Sequence, residues 1–201
     1  MKYLLIIVIA ISSVTIAQDA PQIPGWGIYV GGAMNGVTID PEGEGITYGR
    51  ELNVPFVGLS RGIQIPGFPI PLLVGGGLGK RGFNTEYDGI DFKSSNSTNW
   101  LDVWATIPYP VGPVIAQVGL VYGTGLGTGV NKTEMNGETT EEDVEGEFGD
   151  VTDLGLLLGG AYPINEKIGL NFGYALGLKD HGSDGTKMQY NGLYLLLGYN
   201  F

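Results

Sequence analysis

The feature that most constrains this chain is a period of two, cleanest in its last residues. Leu193 to Phe201 read LYLLLGYNF. Counting back in twos from Phe201 gives Tyr199, Leu197, Leu195 and Leu193, all large and apolar. The intervening face carries Asn200, Gly198, Leu196, Tyr194 and Gly192, smaller and more mixed. A strand points alternate side chains to opposite faces. This segment therefore has one face fit for hydrocarbon and one fit for a crowded interior.

The same alternation recurs along the chain and predicts eight strands. They are Trp26–Val37, Asn53–Ile65, Ile70–Thr85, Asn99–Ile107, Val114–Thr128, Thr152–Tyr162, Lys167–Lys179 and Met188–Phe201. Each reaches about the 9–11 residues that a tilted strand needs to cross a bilayer. In the seventh, Ile168, Leu170, Phe172, Tyr174, Leu176 and Leu178 share a face against Gly169, Asn171, Gly173, Ala175, Gly177 and Lys179. The fifth sets Val114, Ala116, Val118, Leu120, Tyr122 and Leu126 against Gln117 and a set of glycines. The small faces account for much of a glycine content of 36 residues. An eight-stranded barrel leaves room inside only for packed side chains. A lipocalin-like barrel, with the apolar face inward, would need many Lys, Glu and Asp on the other face. These strands carry few, because the charge lies between them.

The connections alternate in length. Three are short and contain proline, around Ile65–Pro69, Pro108–Pro113 and Pro163–Lys167. Four are long and polar: Thr38–Leu52, Glu86–Thr98, Gly129–Val151 and Asp180–Lys187. Short periplasmic turns alternating with long external loops are the rule in bacterial outer-membrane barrels. Beyond the N-terminus no apolar stretch is long enough for a helical span, so insertion in a bilayer requires a closed barrel. The expected fold is all-β: an eight-stranded antiparallel transmembrane up-and-down β-barrel with both ends of residues 18–201 on the periplasmic side.

Met1 to Ala17, MKYLLIIVIAISSVTIA, has an early Lys2, a short apolar run and small residues at Thr15 and Ala17. That is the pattern of a secretory signal peptide cleaved before Gln18. The division is thus 1–17 as signal and 18–201 as barrel. The chain has no cysteine, which excludes disulfides and Cys-based zinc sites. A net charge of −11 argues against nucleic acid as a partner. Nothing in the sequence calls for a cofactor, and a monomer is expected.

A chain ending on an aromatic residue in an apolar strand resembles outer-membrane barrels, whose insertion machinery reads a C-terminal aromatic strand. The resemblance implies that Tyr199 and Phe201 form a membrane-assembly signal. Three stretches of the second half, Asn99–Val111, Asp153–Leu178 and Asn191–Phe201, resemble the PorT-like outer-membrane β-barrel proteins. The carrying features are the strand from Trp100 with its later Ile107-Pro108, the aspartate-led glycine-rich hairpin and the terminal Gly198-Tyr199-Asn200-Phe201. The first half matches only in architecture. The resemblance implies a fold and a place in the cell outer membrane, in contact with its lipids and lipopolysaccharide. Some relatives assist protein secretion, so an accessory role in a secretion system is one reading.

Three groups of residues are candidate sites. Glu134 to Asp153 is the most acidic stretch, holding nine acids after Lys132. Carboxylate clusters suit calcium or bridging to lipopolysaccharide phosphates, yet the spacing lacks the glycine of an EF-hand loop. The bland reading is a solvated loop available to a protein partner. The sole histidine, His181, stands in Asp180-His181-Gly182-Ser183-Asp184. Its His-x-Ser pair resembles lipid A deacylases, with His181 as base and Ser183 as nucleophile, although these residues also suit a hairpin loop. Polar residues on inward faces form the third group: Tyr29, Arg81, Asp102, Gln117, Asn171, Lys179, Tyr194 and Asn200. Arg81, Asp102 and Lys179 are expected to form a luminal polar network, with Arg81 pairing Asp102. Arg61 falls on the outward face with Val57, Leu59 and Ile63, so it either reaches the periplasmic rim or is turned inward by a bulge. The reading overall is a barrel without enzymatic activity and without an open pore.

Overall fold

The computed structural model describes residues 25–68, 70–144 and 151–201. The expected signal peptide and the cleavage point before Gln18 lie outside the described residues, as do Glu145, Glu147 and Asp150 of the acidic stretch.

Nine strands follow in order: β1 (Trp26–Asp40), β2 (Ile46–Ile63), β3 (Leu72–Tyr87), β4 (Phe92–Val111), β5 (Val114–Met135), β6 (Glu138–Val144), β7 (Thr152–Pro163), β8 (Ile168–Gly177) and β9 (Lys187–Asn200). Every pairing is antiparallel. The chain meanders from β1 to β5, continues through β7 to β9, and closes where β9 pairs β1 from Gly27↔Asn200 to Asp40↔Lys187. β6 and β7 share one edge of β5. Gly129–Met135 pairs β6, and Ile115–Thr124 pairs β7. Together they stand as the sixth stave of an eight-stave barrel.

The faces follow the alternation. Val30, Val57, Leu59, Leu78, Leu120, Leu158, Leu195 and Leu197 are all more than 40% exposed and form the outer belt. Large apolar side chains this exposed on β1, β2, β3, β5, β7 and β9 identify a lipid-facing surface. Arg61 points outward at the periplasmic edge, its guanidinium 5.2 Å from the Trp26 ring. No bulge turns it inward. Arg50 marks the other edge of β2, 5.6 Å from the Tyr174 ring and 3.2 Å from Asn191 Oδ1. The stretch between these arginines spans roughly 28 Å along the membrane normal, at about 3.3 Å per residue and about 40° of tilt. That matches the apolar band of such barrels.

The strands on one side are much longer than expected. β4 has 20 residues and β5 has 22, whereas β8 has 10. Among the described residues, the stretches 38–52, 86–98 and 129–144 are largely sheet, with short connections at 41–45, 88–91 and 136–137. Two turn signals explain this. Gly89 follows Asp88, and Asn136-Gly137 joins β5 to β6, with φ of 81° at Gly89 and of 52° and 79° at Asn136 and Gly137. Asn-Gly with both residues at positive φ is the preferred two-residue hairpin loop. Polarity does not oppose a ladder once the turn sets its register.

β2 departs from β3 between Arg50 and Val57, and from β1 between the Gly31 and Ala33 partners. The bulged segment contains Val54 and Pro55. It turns Phe56 inward over the bare backbone of Gly77 and Gly79, where an added Cβ would lie 2.6 and 2.8 Å from the Phe56 ring.

Candidate functional site

One charged layer crosses the lumen below its external mouth. β3 supplies Arg81, β4 Trp100 and Asp102, β7 Asp153, and β9 Tyr190, while the β8–β9 connection lays His181 on top. Arg81 donates from Nη2 to Asp102 Oδ1 at 2.5 Å and from Nη1 to Asp153 Oδ2 at 2.9 Å. His181 Nε2 lies 3.3 Å from the other oxygen of Asp153. The Arg81 guanidinium sits 4.4 Å from the Trp100 ring, and Tyr190 packs edge-on against Trp100 and His181 at 5.7 and 5.1 Å. Trp100 is 1% exposed and the Asp153 side chain 3%. Gly123 makes room: a Cβ there would stand 2.5 Å from the Asp102 carboxylate and 2.7 Å from Arg81.

The alternation explains why these residues converge. Trp100, Asp102, Trp104 and Thr106 share the inward face of β4. Asp153 shares the inward face of β7 with Gly155, Leu157 and Gly159. A cation held between two carboxylates answers the desolvation of all three, and removing one member leaves an uncompensated buried charge.

Lys179 does not belong to this layer, against the sequence expectation. β8 ends at Gly177, so the alternation stops governing position 179. Lys179 is exposed and donates to Thr152 Oγ1 at 2.8 Å. Its place is taken by Asp153 and His181. The signal for Asp153 was present in the sequence, because stepping back in twos from Gly159 reaches it. His181 follows a strand end and could not be placed by periodicity.

The same geometry bears on the hydrolase reading. His181 has an acidic partner in Asp153, but the imidazole points down into the layer. Ser183 is exposed, its carbonyl accepts the Thr186 amide at 3.0 Å, and no hydrogen bond joins it to His181 among the described residues. A nucleophile and base within hydrogen-bond reach are not assembled. Asp180 instead fixes the loop by accepting from the Gly182 and Met188 amides, both at 2.9 Å. Those two bonds hold its carboxyl below the usual carboxylate range.

The acidic stretch is divided among β5, β6 and β7. Glu138, Glu141, Glu142 and Asp143 lie exposed along β6. Among the described residues no three His, Cys, Asp or Glu side chains are placed to hold a metal ion. β6 pairs only with β5 among the described residues. At the other end of the barrel Phe201 donates its amide to the Trp26 carbonyl at 2.9 Å. The Tyr199 and Phe201 rings meet edge-on at 5.4 Å on the outer surface.

Comparison with known proteins places this architecture. The model for "Outer membrane protein beta-barrel domain" matches residues 5–201. Neisserial surface protein A superposes with a TM-score of 0.50 at 14% identity, covering 89% of this chain and 99% of that one. Ail of Yersinia pestis gives 0.46 at 15% identity, over 89% and 99% of the two chains. OprG of Pseudomonas aeruginosa gives 0.40 at 18% identity, over 92% and 99%. No curated protein matches the sequence. Identities this low speak to fold alone, while the family model spans nearly the whole chain. The chain is an integral protein of the cell outer membrane and belongs to the outer membrane protein beta-barrel domain family.

Proposed function

We propose that this protein is a closed, non-enzymatic outer-membrane barrel that presents an acidic β-hairpin to partners at the cell surface. The observation that supports the reading is the contrast between a lumen crossed by a paired, buried charged layer and an external wall of exposed acidic sheet. The Arg81–Asp102–Asp153–His181 layer obstructs permeation, and Ser183 stands apart from His181. The β5–β6 hairpin continues the barrel outward with an exposed, carboxylate-rich strand. Such a surface favours a basic partner. Purified protein in planar bilayers should show no steady conductance, and lipid A acylation should be unchanged between cells with wild-type protein and with Ser183→Ala. Conductance steps from the monomer, or an acylation change, would overturn the reading.

Arg50 and Arg61, with Tyr174 and Trp26, suit contact with lipid and lipopolysaccharide head groups at the two rims. Tyr199 and Phe201 suit recognition by the insertion machinery, so deleting Phe201 should lower insertion in cells while leaving detergent refolding intact. Membership of the PorT-like group, and with it an accessory role in secretion, rests on the resemblance of Asn99–Val111, Asp153–Leu178 and Asn191–Phe201. Pull-down from membranes with wild-type protein and with the Glu138–Val144 acids changed to Gln or Asn would test it.

A further inference from the structure

The external wall carries an apolar row that the bilayer does not call for. Ile46 stands opposite Tyr87 across the β2–β3 ladder, and Phe92 opposite Met135 across β4–β5. The Tyr87 and Phe92 rings meet edge-on with centroids 5.1 Å apart, which joins the two pairs. Residues directly opposite on neighbouring strands share a face. Four large apolar side chains thus run side by side across β2, β3, β4 and β5. Tyr87 is 39% exposed and Met135 53%, and Ile90 in the adjoining turn is 62% exposed. Ile46 lies four residues beyond Arg50 on β2, and Met135 nine residues beyond Leu126 on β5. The row is past the membrane-facing belt, so contact with lipid does not account for it.

Register sets its face. The β3–β4 ladder runs without a break from Leu73↔Thr106 to Glu86↔Lys93. By alternation Tyr87 lies on the side of Arg81 and Phe92 on the side of Trp100, facing the barrel axis above the charged layer. β7 begins at Thr152 and β8 ends at Gly177, both beside that layer, so neither strand rises across from the row. The three turns at this end are tied together. The Asp88 amide donates to the Gly45 carbonyl at 2.8 Å, and the Asn136 amide to the Asp91 carbonyl at 3.3 Å. The row therefore sits on a joined platform.

The charge around it has one sign. Glu42 and Glu44 stand in the first turn, Asp88 and Asp91 in the second, and Glu138 opposite Met135, all exposed. Lys93 follows Phe92 but belongs to the other face, where it pairs with Glu86 at 3.0 Å. An exposed apolar centre with aromatic and Met side chains inside a polar rim is the anatomy of a protein interface. An acidic rim selects a basic partner. At about 4.8 Å between strands the row is about 14 Å long, the length of about ten helical residues.

We propose that this platform is a docking surface for a cationic amphipathic polypeptide segment of a partner protein. The segment's apolar face rests on Ile46, Tyr87, Phe92 and Met135, and its Lys or Arg side chains meet the acids of the turns. This docking rests on the reading of the wall as a surface for basic partners, and it places the centre of contact on the row rather than on the β6 acids.

The test uses the full barrel refolded in a maltoside detergent. The probe is a fluorescein-labelled Leu/Lys peptide with leucines at i, i+3, i+4 and i+7, followed by fluorescence anisotropy against protein-free micelles. Saturable binding above the micelle baseline is expected at low salt. A peptide of the same composition with its leucines scattered around the helix should bind roughly tenfold more weakly. Tyr87→Ser with Met135→Ser should weaken the amphipathic peptide about tenfold or more, the scale of losing central anchors. Met135→Lys, at a half-exposed position, should also weaken it and stands in if the double variant loses heat-modifiable migration on gels. Glu42→Gln, Glu44→Gln and Asp91→Asn together should lower the affinity and flatten its dependence on salt. Glu141→Gln with Asp143→Asn, on the other face of β6, should leave the affinity within about twofold. Binding that survives the row variants but falls with the Glu141 and Asp143 changes would overturn this docking and leave the β6 reading in place. Equal binding of the two peptides would overturn the apolar anchoring. Binding no greater than to micelles alone would overturn the docking and the basic-partner reading together.

Discussion

Two groups of carboxylates in this molecule are chemically alike and physically opposite. Asp102 and Asp153 stand inside the barrel, with side chains 14% and 3% exposed, and share one guanidinium. Glu138, Glu141, Glu142 and Asp143 stand on β6, exposed to water on a strand that pairs only with β5 among the described residues. The first pair cannot lose its cation without leaving charge in a narrow, weakly solvated lumen. The second group loses little when any member changes, because water screens each charge. Environment, rather than residue type, decides which acids hold the fold together and which are free to serve a surface role.

The sharpest test of that contrast is to remove one member of the layer. Asp102→Ala or Asp153→Ala should cost about 3–5 kcal/mol, the usual penalty for breaking a buried pair on one side. Denaturant titration in detergent would measure it. Because Arg81 bonds both acids, the two losses should not add, and the double variant should cost clearly less than the sum. A double variant equal to the sum would mean that the arginine serves each acid separately. A loss below about 1 kcal/mol would mean that the layer is hydrated like the external acids.

A smaller effect is expected where the external wall depends on turn geometry. Gly137 has φ of 79°, a conformation that costs an L side chain about 1–2 kcal/mol. Gly137→Val should therefore loosen the β5–β6 hairpin without altering the barrel. Hydrogen exchange of the Val130–Met135 amides should accelerate, while the denaturant midpoint of the barrel stays in place. A matching fall in barrel stability would show that the wall and the membrane-embedded staves unfold as one unit, and the comparison would lose its basis.

Acid offers a third probe. Asp180 has its folded carboxyl pKa lowered by the Gly182 and Met188 amides. A depressed folded value means that its contribution is present above the unfolded pKa, near 4, and is lost as pH falls through the lowered folded value. The amides of Gly182 and Met188 should lose protection only below about pH 4. Asp180→Ala should expose them at neutral pH. The group is fully solvent-facing, so global stability should barely register the change, in contrast to the layer acids just beneath the same loop.

The sequence made the staves legible because each membrane-facing residue had to be large and apolar while its neighbour had to fit a crowded lumen. That double constraint located Arg81 and Asp102 on inward faces. The same alternation reaches Asp153, but the sequence reading takes that residue as the last acid of a charged run. Where only one constraint acts, the pattern failed. The upper halves of β4 and β5, such as Lys93–Thr98 and Asn131–Glu134, face water on their outer side and carry no apolar period. Their order rests on the Asp88-Gly89 and Asn136-Gly137 turns and on register inherited from below. Lys179 illustrates the reverse error, an alternation carried two residues past the end of its strand. His181 was out of reach for a different reason, since a loop residue folding back over a lumen leaves no periodic trace.

The smallest effect belongs to the acids of β6 themselves. Glu141 stands directly opposite Lys132 across the β5–β6 ladder, Glu142 opposite Asn131, and Thr140 opposite Thr133. Cross-strand pairs of opposite charge contribute only about 0.2–1 kcal/mol, and no ion pair closes between Glu141 and Lys132. Glu142→Gln should therefore change stability by less than about 0.5 kcal/mol, the usual range for exposed positions. Glu141→Gln should do slightly more, and that excess should fade when salt is raised. Glu141→Lys sets like charges opposite each other and should cost the most of the three, still far less than Asp102→Ala. If instead Glu142→Gln and Asp102→Ala prove equally harmful in the same denaturant series, the β6 carboxylates are structural. Their placement on an exposed strand would then owe nothing to a partner.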